Sequence, residues 1–452
     1  MSGNGTDVLN LPVERVKLSN GIRCLLRPQT QNEIVAIQVF LDISVFDEPD
    51  RHPGLANLVQ RSLRRGTAKH SAAELALALE SSGASLQSVM AEDYALVSLQ
   101  ATKDDLDKTV ALLAEVLWEP AFAPEEVAKE RDQILAEIRL SDDDPFSFTY
   151  RHFRRAIYGN HPYGRPVEGT ADIVPLLNTG LCRQWHRRVF TPQTALVVAV
   201  GHFEPKELVK LFNRHFGKRS APEVERIGER IRPLSTYRPR RTAISRHVEQ
   251  TLCLVGWPGP SVGNLGDLVA LKVASAVLGA GMSSRLFRHL RDQQGLAYSV
   301  GCSLPLRRST SHLFGHIGTR PDQATHATRS IVKEVQSLAR DPIPEDELDR
   351  AKTYLKGAHL IDHQTNGRQA FHLGWGELTG LGHNFDAKWP ALIDAVTAEA
   401  VARAVRRYVT TPTIVTLRPD IRPPGGSPRR DDDGRPPLPE GLPRDEDEPT
   451  RD

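Results

Sequence analysis

Asn57, Gln60 and Arg61 place two carboxamides and a guanidinium three and four residues apart, so on a helix they would share one face. Two ligands four residues apart, with a base beside them, is the arrangement by which a helix holds a metal and activates water. These side chains cannot do that chemistry. The Arg61 guanidinium stays protonated at any working pH, has no lone pair to give and repels a cation. Asn57 and Gln60 offer carbonyl oxygens, which suit hard cations better than zinc, and an amide cannot take a proton from water. No zinc and no general base is expected at residues 57–61.

Two further sets carry chemistry. Glu130 and Glu137 are seven residues, or two helical turns, apart in the run that follows Pro124-Glu125-Glu126. By themselves they read as surface charges of an amphipathic helix. Arg291 and Tyr298 stand in the segment Gly281-Met282-Ser283-Ser284-Arg285 to Val300. A guanidinium and a phenol are donors suited to a peptide carbonyl or a developing oxyanion.

These residues need helices and turns to hold them. The patterning predicts helices over 53–65, 71–82, 103–118, 124–140, 264–278, 283–292, 322–339 and 344–362. It predicts largely buried strands at 34–41 and 251–257. Residues 114–135 are echoed at 333–355, an offset of roughly 220 residues. In each copy a Pro and acidic residues start a helix, where Pro fits the first turn and carboxylates face the positive end. Two related α+β domains follow: 1–217 and 242–420, joined by a linker over 218–241 that Pro222, Pro233 and Pro239 keep irregular. Residues 421–452, with Asp431-Asp432-Asp433 and almost no apolar side chains, are expected to be a disordered tail.

The string from His52 to Thr67 resembles the active-site helix of the insulinase/pitrilysin-type zinc metallopeptidases, where five residues read H-x-x-E-H and here read Asn57-Leu58-Val59-Gln60-Arg61. The flanks match in order over about residues 13–418. Glu137 falls at the third zinc-ligand position and Glu130 at that of a second functional carboxylate. The resemblance thus implies an Arg61–Glu137 ion pair in the space of the lost metal. Tyr158-Gly159-Asn160-His161-Pro162-Tyr163-Gly164, Gly169-Thr170 and Leu196 to Phe203 resemble structural signatures of the same domain. Arg291 and Tyr298 match a pair that in the family reaches an active site and binds substrate backbone. The fold so implied is two duplicated domains, each a mostly antiparallel sheet packed with helices, forming a clam shell.

A lost zinc motif beside a retained Arg/Tyr pair resembles the non-catalytic, substrate-binding subunit of a heterodimeric zinc endopeptidase. In the family's two-subunit branch a homologous partner carries the intact motif, the zinc and the base. The alternatives are a structural or peptide-binding scaffold of the same fold, or a peptidase with an unorthodox metal site. The short stretch Val277 to Met282 lacks the long glycine-rich loop of the mitochondrial processing α-subunit, so a bacterial-type two-subunit peptidase fits better.

Composition agrees with such a chain. At 452 residues it is long enough for two domains, and 39% hydrophobic with 25% charged residues is that of a globular protein. A net charge of +2, from 58 basic and 56 acidic residues, requires neither nucleic acid nor an anionic membrane as partner. Cys24, Cys182, Cys253 and Cys302 lie far apart, which argues against a disulfide framework. With no signal-like start and no apolar run long enough to span a bilayer, a cytoplasmic location is expected. His312 and His316 alternate along a strand-like segment and read as structural, as do His161 and His70.

Overall fold

The computed structural model describes residue 9, residues 11–219 and residues 231–420. The middle of the expected linker and the whole expected tail lie outside the described residues; 231–240 run without regular structure into the next strand.

Two sheets divide the chain. The first contains β1 (Glu14–Lys17), β2 (Arg23–Pro28), β3 (Ile34–Leu41), β4 (Ser85–Met90), β5 (Ala95–Thr102) and β6 (Ala195–Gly201). The second contains β7 (Arg241–Arg246), β8 (Thr251–Pro258), β9 (Ser299–Ser303), β10 (His312–Thr319) and β11 (Thr413–Pro419). Their orders are β1-β2-β6-β3-β5-β4 and β7-β11-β8-β10-β9. Without β1 the two are the same topology. In each, one parallel pair, β2 with β6 and β7 with β11, interrupts an otherwise antiparallel ladder. The central strands are apolar runs because both of their faces are covered: β3 is buried at seven of its eight positions and β8 likewise.

Each sheet packs one face on helices of its own half, and the other face is covered in part by a helix from the opposite half. Helix Pro145–Tyr158 lies on β8 and β11, and its counterpart roughly 220 residues later, Asn366–Leu378, lies on β3 and β6. Phe153 and Ile157 thereby join Leu254, Phe314 and Val415 in one apolar cluster. Ala370 and Leu373 join Phe40, Leu196 and Val198 in another. Polar contacts fix the exchange: Asn366 Nδ2 donates to the Ile34 carbonyl at 2.8 Å and Gln38 Nε2 to the Gly367 carbonyl at 2.9 Å. Arg307 is bidentate on Glu92 at 2.7 and 2.9 Å. Tyr158 Oη donates to the Thr310 carbonyl at 2.8 Å, and His312, fully buried, faces the hydroxyls of Tyr150 and Tyr158 at 2.9 Å each. Burial holds His312 well below the usual imidazole range, so it is a neutral member of this network.

Most expected helices form with ends shifted by a few residues; the first is Leu55–Ser62 rather than 53–65. Two features differ in kind. Residues Phe287–Gln293 are π-helical, where a plain helix over 283–292 was expected. Pro344 caps its helix from outside, while Pro124 occupies the first turn.

Helix Asn366–Leu378 approaches β3 so closely that a Cβ on Gly374 would stand 2.1 Å from a ring carbon of Phe40, itself wholly buried. Gly374→Ala is therefore expected to lower stability by about 3 kcal/mol, since neither ring nor helix has room to retreat. Thermal or urea unfolding checks this; an unchanged midpoint would mean the exchanged helix is loosely seated.

Candidate functional site

Helix Leu55–Ser62 starts without a side-chain cap of its own. Gly54, at φ 92°, turns into it against Gly169, with the backbones so near that a Cβ on Gly54 would lie 2.7 Å from the Gly169 Cα. A distant side chain supplies the cap. The Glu48 carboxylate accepts from the Ala56 amide at 2.9 Å and faces the amides of Gly54 and Leu55. Because Glu48 is almost wholly buried, desolvation outweighs these hydrogen bonds and pushes its pKa up to about 7.

On this helix Arg61 turns toward helix Pro124–Asp143. Its Nη1 and Nη2 donate to the two carboxylate oxygens of Glu137 at 2.6 and 2.9 Å, and its Nε donates to Glu130 at 2.7 Å. Arg65, one turn on, donates its Nε to the other Glu130 oxygen. Two guanidiniums and two carboxylates thus balance in one cluster. The Glu130 side chain is 2% exposed and that of Glu137 is 48% exposed, so the buried carboxylate is the one that takes two cations. Burial opposes the charge on Arg61, but the hydrogen bonds from it to Glu137 and Glu130 hold its pKa above the ordinary value. The same bond holds Glu137 below the usual carboxylate range.

Gln60, almost fully buried, turns the other way and donates its Nε2 to the Leu96 carbonyl at 3.0 Å. A zinc ion does not fit these residues: the place between residue 61 and the two carboxylates is filled by a guanidinium whose three nitrogens each donate to Glu130 or Glu137, and Gln60 serves as a strand anchor.

The Arg291/Tyr298 segment is held from beneath. Arg285 is half-buried in an ion pair with Glu347, with contacts of 2.7 to 3.1 Å, and donates to Ser337 at 3.0 Å. Leu286 and Leu290 are wholly buried. Above this anchor the π-helical turn carries Arg291 over the Phe287 ring at 4.6 Å, and Gly295, at φ 62°, reverses the chain. The Tyr298 amide donates to the Gly318 carbonyl at 2.9 Å while its side chain stands 58% exposed. Neither the Arg291 guanidinium nor the Tyr298 hydroxyl bonds another side chain among the described residues. The structure thus brings Arg61, Glu130 and Glu137 together and gives no contact between that cluster and Arg291 or Tyr298.

The chain as a whole is similar to known proteins. The family model described as Insulinase (Peptidase family M16) matches residues 23–171, and that described as Peptidase M16 inactive domain matches residues 181–355. Proteins of Mycobacterium bovis and Mycobacterium tuberculosis, each described as an uncharacterized zinc protease, are 31% identical over 403 residues, covering 88% of this chain and 91% of theirs. This chain belongs to the insulinase family, peptidase family M16. A crystal structure of a peptidase M16 inactive domain from Pseudomonas fluorescens superposes with a TM-score of 0.84 at 19% identity, covering 91% of this chain and 98% of that one. A protease from Helicobacter pylori superposes at 0.82 with 21% identity, covering 90% and 99%. At such identities these two establish the fold alone.

Beyond the family positions, several residues escaped sequence reasoning. Glu48 and Arg65 left no motif. A second cluster left a signal that was passed over, the four-residue spacing of His359 and His363. With Asp386 from helix Phe385–Asp394 their ligand atoms lie within 4.8 Å of one another, and His372 from helix Asn366–Leu378 stacks on His363 with ring centroids 4.2 Å apart. Burial pushes His359 down to about 4 and lowers His372, so both are neutral imidazoles at neutral pH.

Two outcomes follow for the first helix. Glu48 has a folded pKa above its unfolded one, so its contribution to stability is present below about pH 4.5 and is lost as pH rises through about 7. Glu48→Gln keeps the acceptor and removes the titration. The variant is expected to gain on the wild type by on the order of 2–3 kcal/mol between those pH values, read as the difference of two unfolding series; parallel series would refute the burial of a charge there. Gln60→Glu turns a carboxylate against the Leu96 carbonyl and is expected to cost roughly 2 kcal/mol. It should bring neither zinc to this helix nor peptide hydrolysis, and zinc held by residues 57–61 in that variant would contradict the account of Arg61.

Proposed function

We propose that this chain is the non-catalytic, substrate-binding subunit of a two-chain M16 endopeptidase, working in the cytoplasm, whose homologous partner carries the zinc and the general base. The observation that carries the reading is the contrast between its two sites. Where the family holds its metal, Arg61 is fully engaged by Glu130 and Glu137. Where it binds substrate, Arg291 and Tyr298 stand on a packed anchor with no side chain among the described residues as hydrogen-bond partner.

The packing of the halves supports a second chain. Opening one half from the other would strip the exchanged helices from their sheets and expose both apolar clusters. A chamber around an extended peptide is therefore formed between chains. In it Arg291 and Tyr298 donate to the peptide carbonyl or to the oxyanion that develops at the partner's zinc, stabilising charge that this chain does not itself generate. The similarity to proteins described as zinc proteases is in keeping with a proteolytic setting.

Mixing the purified chain with the homologue from the same genome that has an intact H-x-x-E-H tests this directly. The mixture is expected to hydrolyse peptides many-fold faster than either chain alone. Arg291→Ala and Tyr298→Phe should each lower kcat/KM of the complex by about tenfold or more without loss of assembly. No stimulation by the wild-type chain would favour the scaffold role, and full turnover with Arg291→Ala would remove that residue from substrate binding.

A further inference from the structure

The histidine cluster is built from three helices. His359 and His363 lie four apart at the end of helix Glu345–Asp362, His372 comes from Asn366–Leu378, and Asp386 opens the first turn of Phe385–Asp394. Around the one carboxylate, His363 Nε2 stands at 2.5 Å, His359 Nε2 at 3.4 Å and His372 Nδ1 at 3.8 Å. The side chains of His363 and Asp386 are 3% and 4% exposed. His359, His372 and Asp386 stand at the wall of a cavity of about 950 Å³ that Trp375, Phe385 and Trp389 also line.

The hydrogen bonding of this cluster does not close around a neutral His363. His363 Nδ1 lies 2.6 Å from the His359 main-chain carbonyl, which only accepts, so Nδ1 carries the proton. In a neutral ring the lone pair of Nε2 then points at a carboxylate oxygen of Asp386, another lone pair, at 2.5 Å. His372 repeats the pattern: its Nε2 donates to Asp362 at 2.6 Å, leaving the Nδ1 lone pair turned to Asp386. An outer N–H bound to a carbonyl or carboxylate, with the inner nitrogen free, is how metal-ligating histidines are oriented.

We propose that His359, His363 and Asp386, with His372 as fourth ligand, form a structural site for a divalent transition metal of the zinc class. Three imidazoles and one carboxylate are an N-rich tetrahedral set for such an ion and leave no open position for chemistry. Bond lengths of about 2.0–2.2 Å put tetrahedral ligands roughly 3.3 Å apart, so the His363–Asp386 contact opens by about 1 Å and His359 Nε2 gives up its 3.2 Å contact with the Asp386 carbonyl. Arg27, a buried cation whose Nε and Nη1 have no hydrogen-bond partner, feels the charge of Asp386 and tempers affinity for a dication. The site ties the exchanged helix Asn366–Leu378 to its neighbours on both sides. It is independent of residues 57–61 and of the proposed subunit role.

The full-length chain, stripped with chelator and titrated with zinc chloride, is expected to bind one equivalent by calorimetry and to melt at a higher temperature when loaded. Cobalt(II) should give the visible bands of tetrahedral coordination. His363→Ala and Asp386→Asn, each checked for a native circular dichroism spectrum, should weaken binding at least 100-fold, while Glu137→Gln leaves it unchanged. His372→Gln serves as a milder variant that keeps the fold, with about tenfold weaker binding and altered cobalt bands. Folded wild-type chain that takes up no zinc would overturn the proposal and make His363 and Asp386 an imidazolium–carboxylate pair. Binding that survives His363→Ala or vanishes with Glu137→Gln would overturn it equally, by locating the ion elsewhere.

Discussion

A buried carboxylate must have a cation, and Glu130 is the carboxylate on which the first half of this molecule turns. In its position between two helices it is 2% exposed, and Arg61 and Arg65 together supply its charge balance. A metal dication and a guanidinium can both neutralise such a site, but they do so in opposite ways. The dication accepts lone pairs and keeps a place for water; the guanidinium donates a fixed fork of N–H groups and has no lone pair to accept protons or electrons to share. The Arg61 cluster therefore preserves the electrostatics that join helix Leu55–Ser62 to Pro124–Asp143 while removing every element of metal-assisted hydrolysis. Gln60 completes the conversion, because its buried amide is spent on the Leu96 carbonyl.

The duplicated halves are bound by exchange rather than by a linker alone. Each lends one helix to the other's sheet, and the two lent helices are equivalent in the repeat. Such reciprocity makes separation cost both apolar clusters at once, together with the Arg307–Glu92 pair and the tyrosines around His312. Closeness of packing, as at Gly374 against Phe40, leaves little play in the arrangement.

Much of this was legible in the sequence for identifiable reasons. β3 and β8 declare themselves as continuous apolar runs, and the acidic helix starts after Pro124 and Pro344 betray the repeat. The pairing of Arg61 with Glu137 is what the family resemblance implies; spacing alone leaves Glu130 and Glu137 as surface charges of an amphipathic helix. What was not legible depends on tertiary distance. Nothing local says that Glu48 will cap a helix eight residues on, that Arg65 will share Glu130, or that an α-helical pattern at 283–292 will widen into a π-turn over Phe287–Gln293. The His359/His363 spacing was visible, but its third and fourth members stand on other helices, and only their convergence on Asp386 gives the spacing meaning.

The anchoring of Arg291 and Tyr298 bears on the proposed subunit role, in which these side chains act at another chain's catalytic centre. Binding groups that act on another chain's reacting atoms are useful only if their positions are set before substrate arrives, since ordering them later would consume the interaction energy they supply. Here the ordering is done by the half-buried Arg285–Glu347 pair, by Leu286 and Leu290, and by the hydrogen bond from Tyr298's own amide to β10. No side chain among the described residues takes the donors of Arg291 or Tyr298, whereas each nitrogen of Arg61 donates to a carboxylate. One half of the molecule thus holds a closed ion-pair cluster, and the other holds exposed donors on a packed base; the proposed division of labour between chains requires both conditions together.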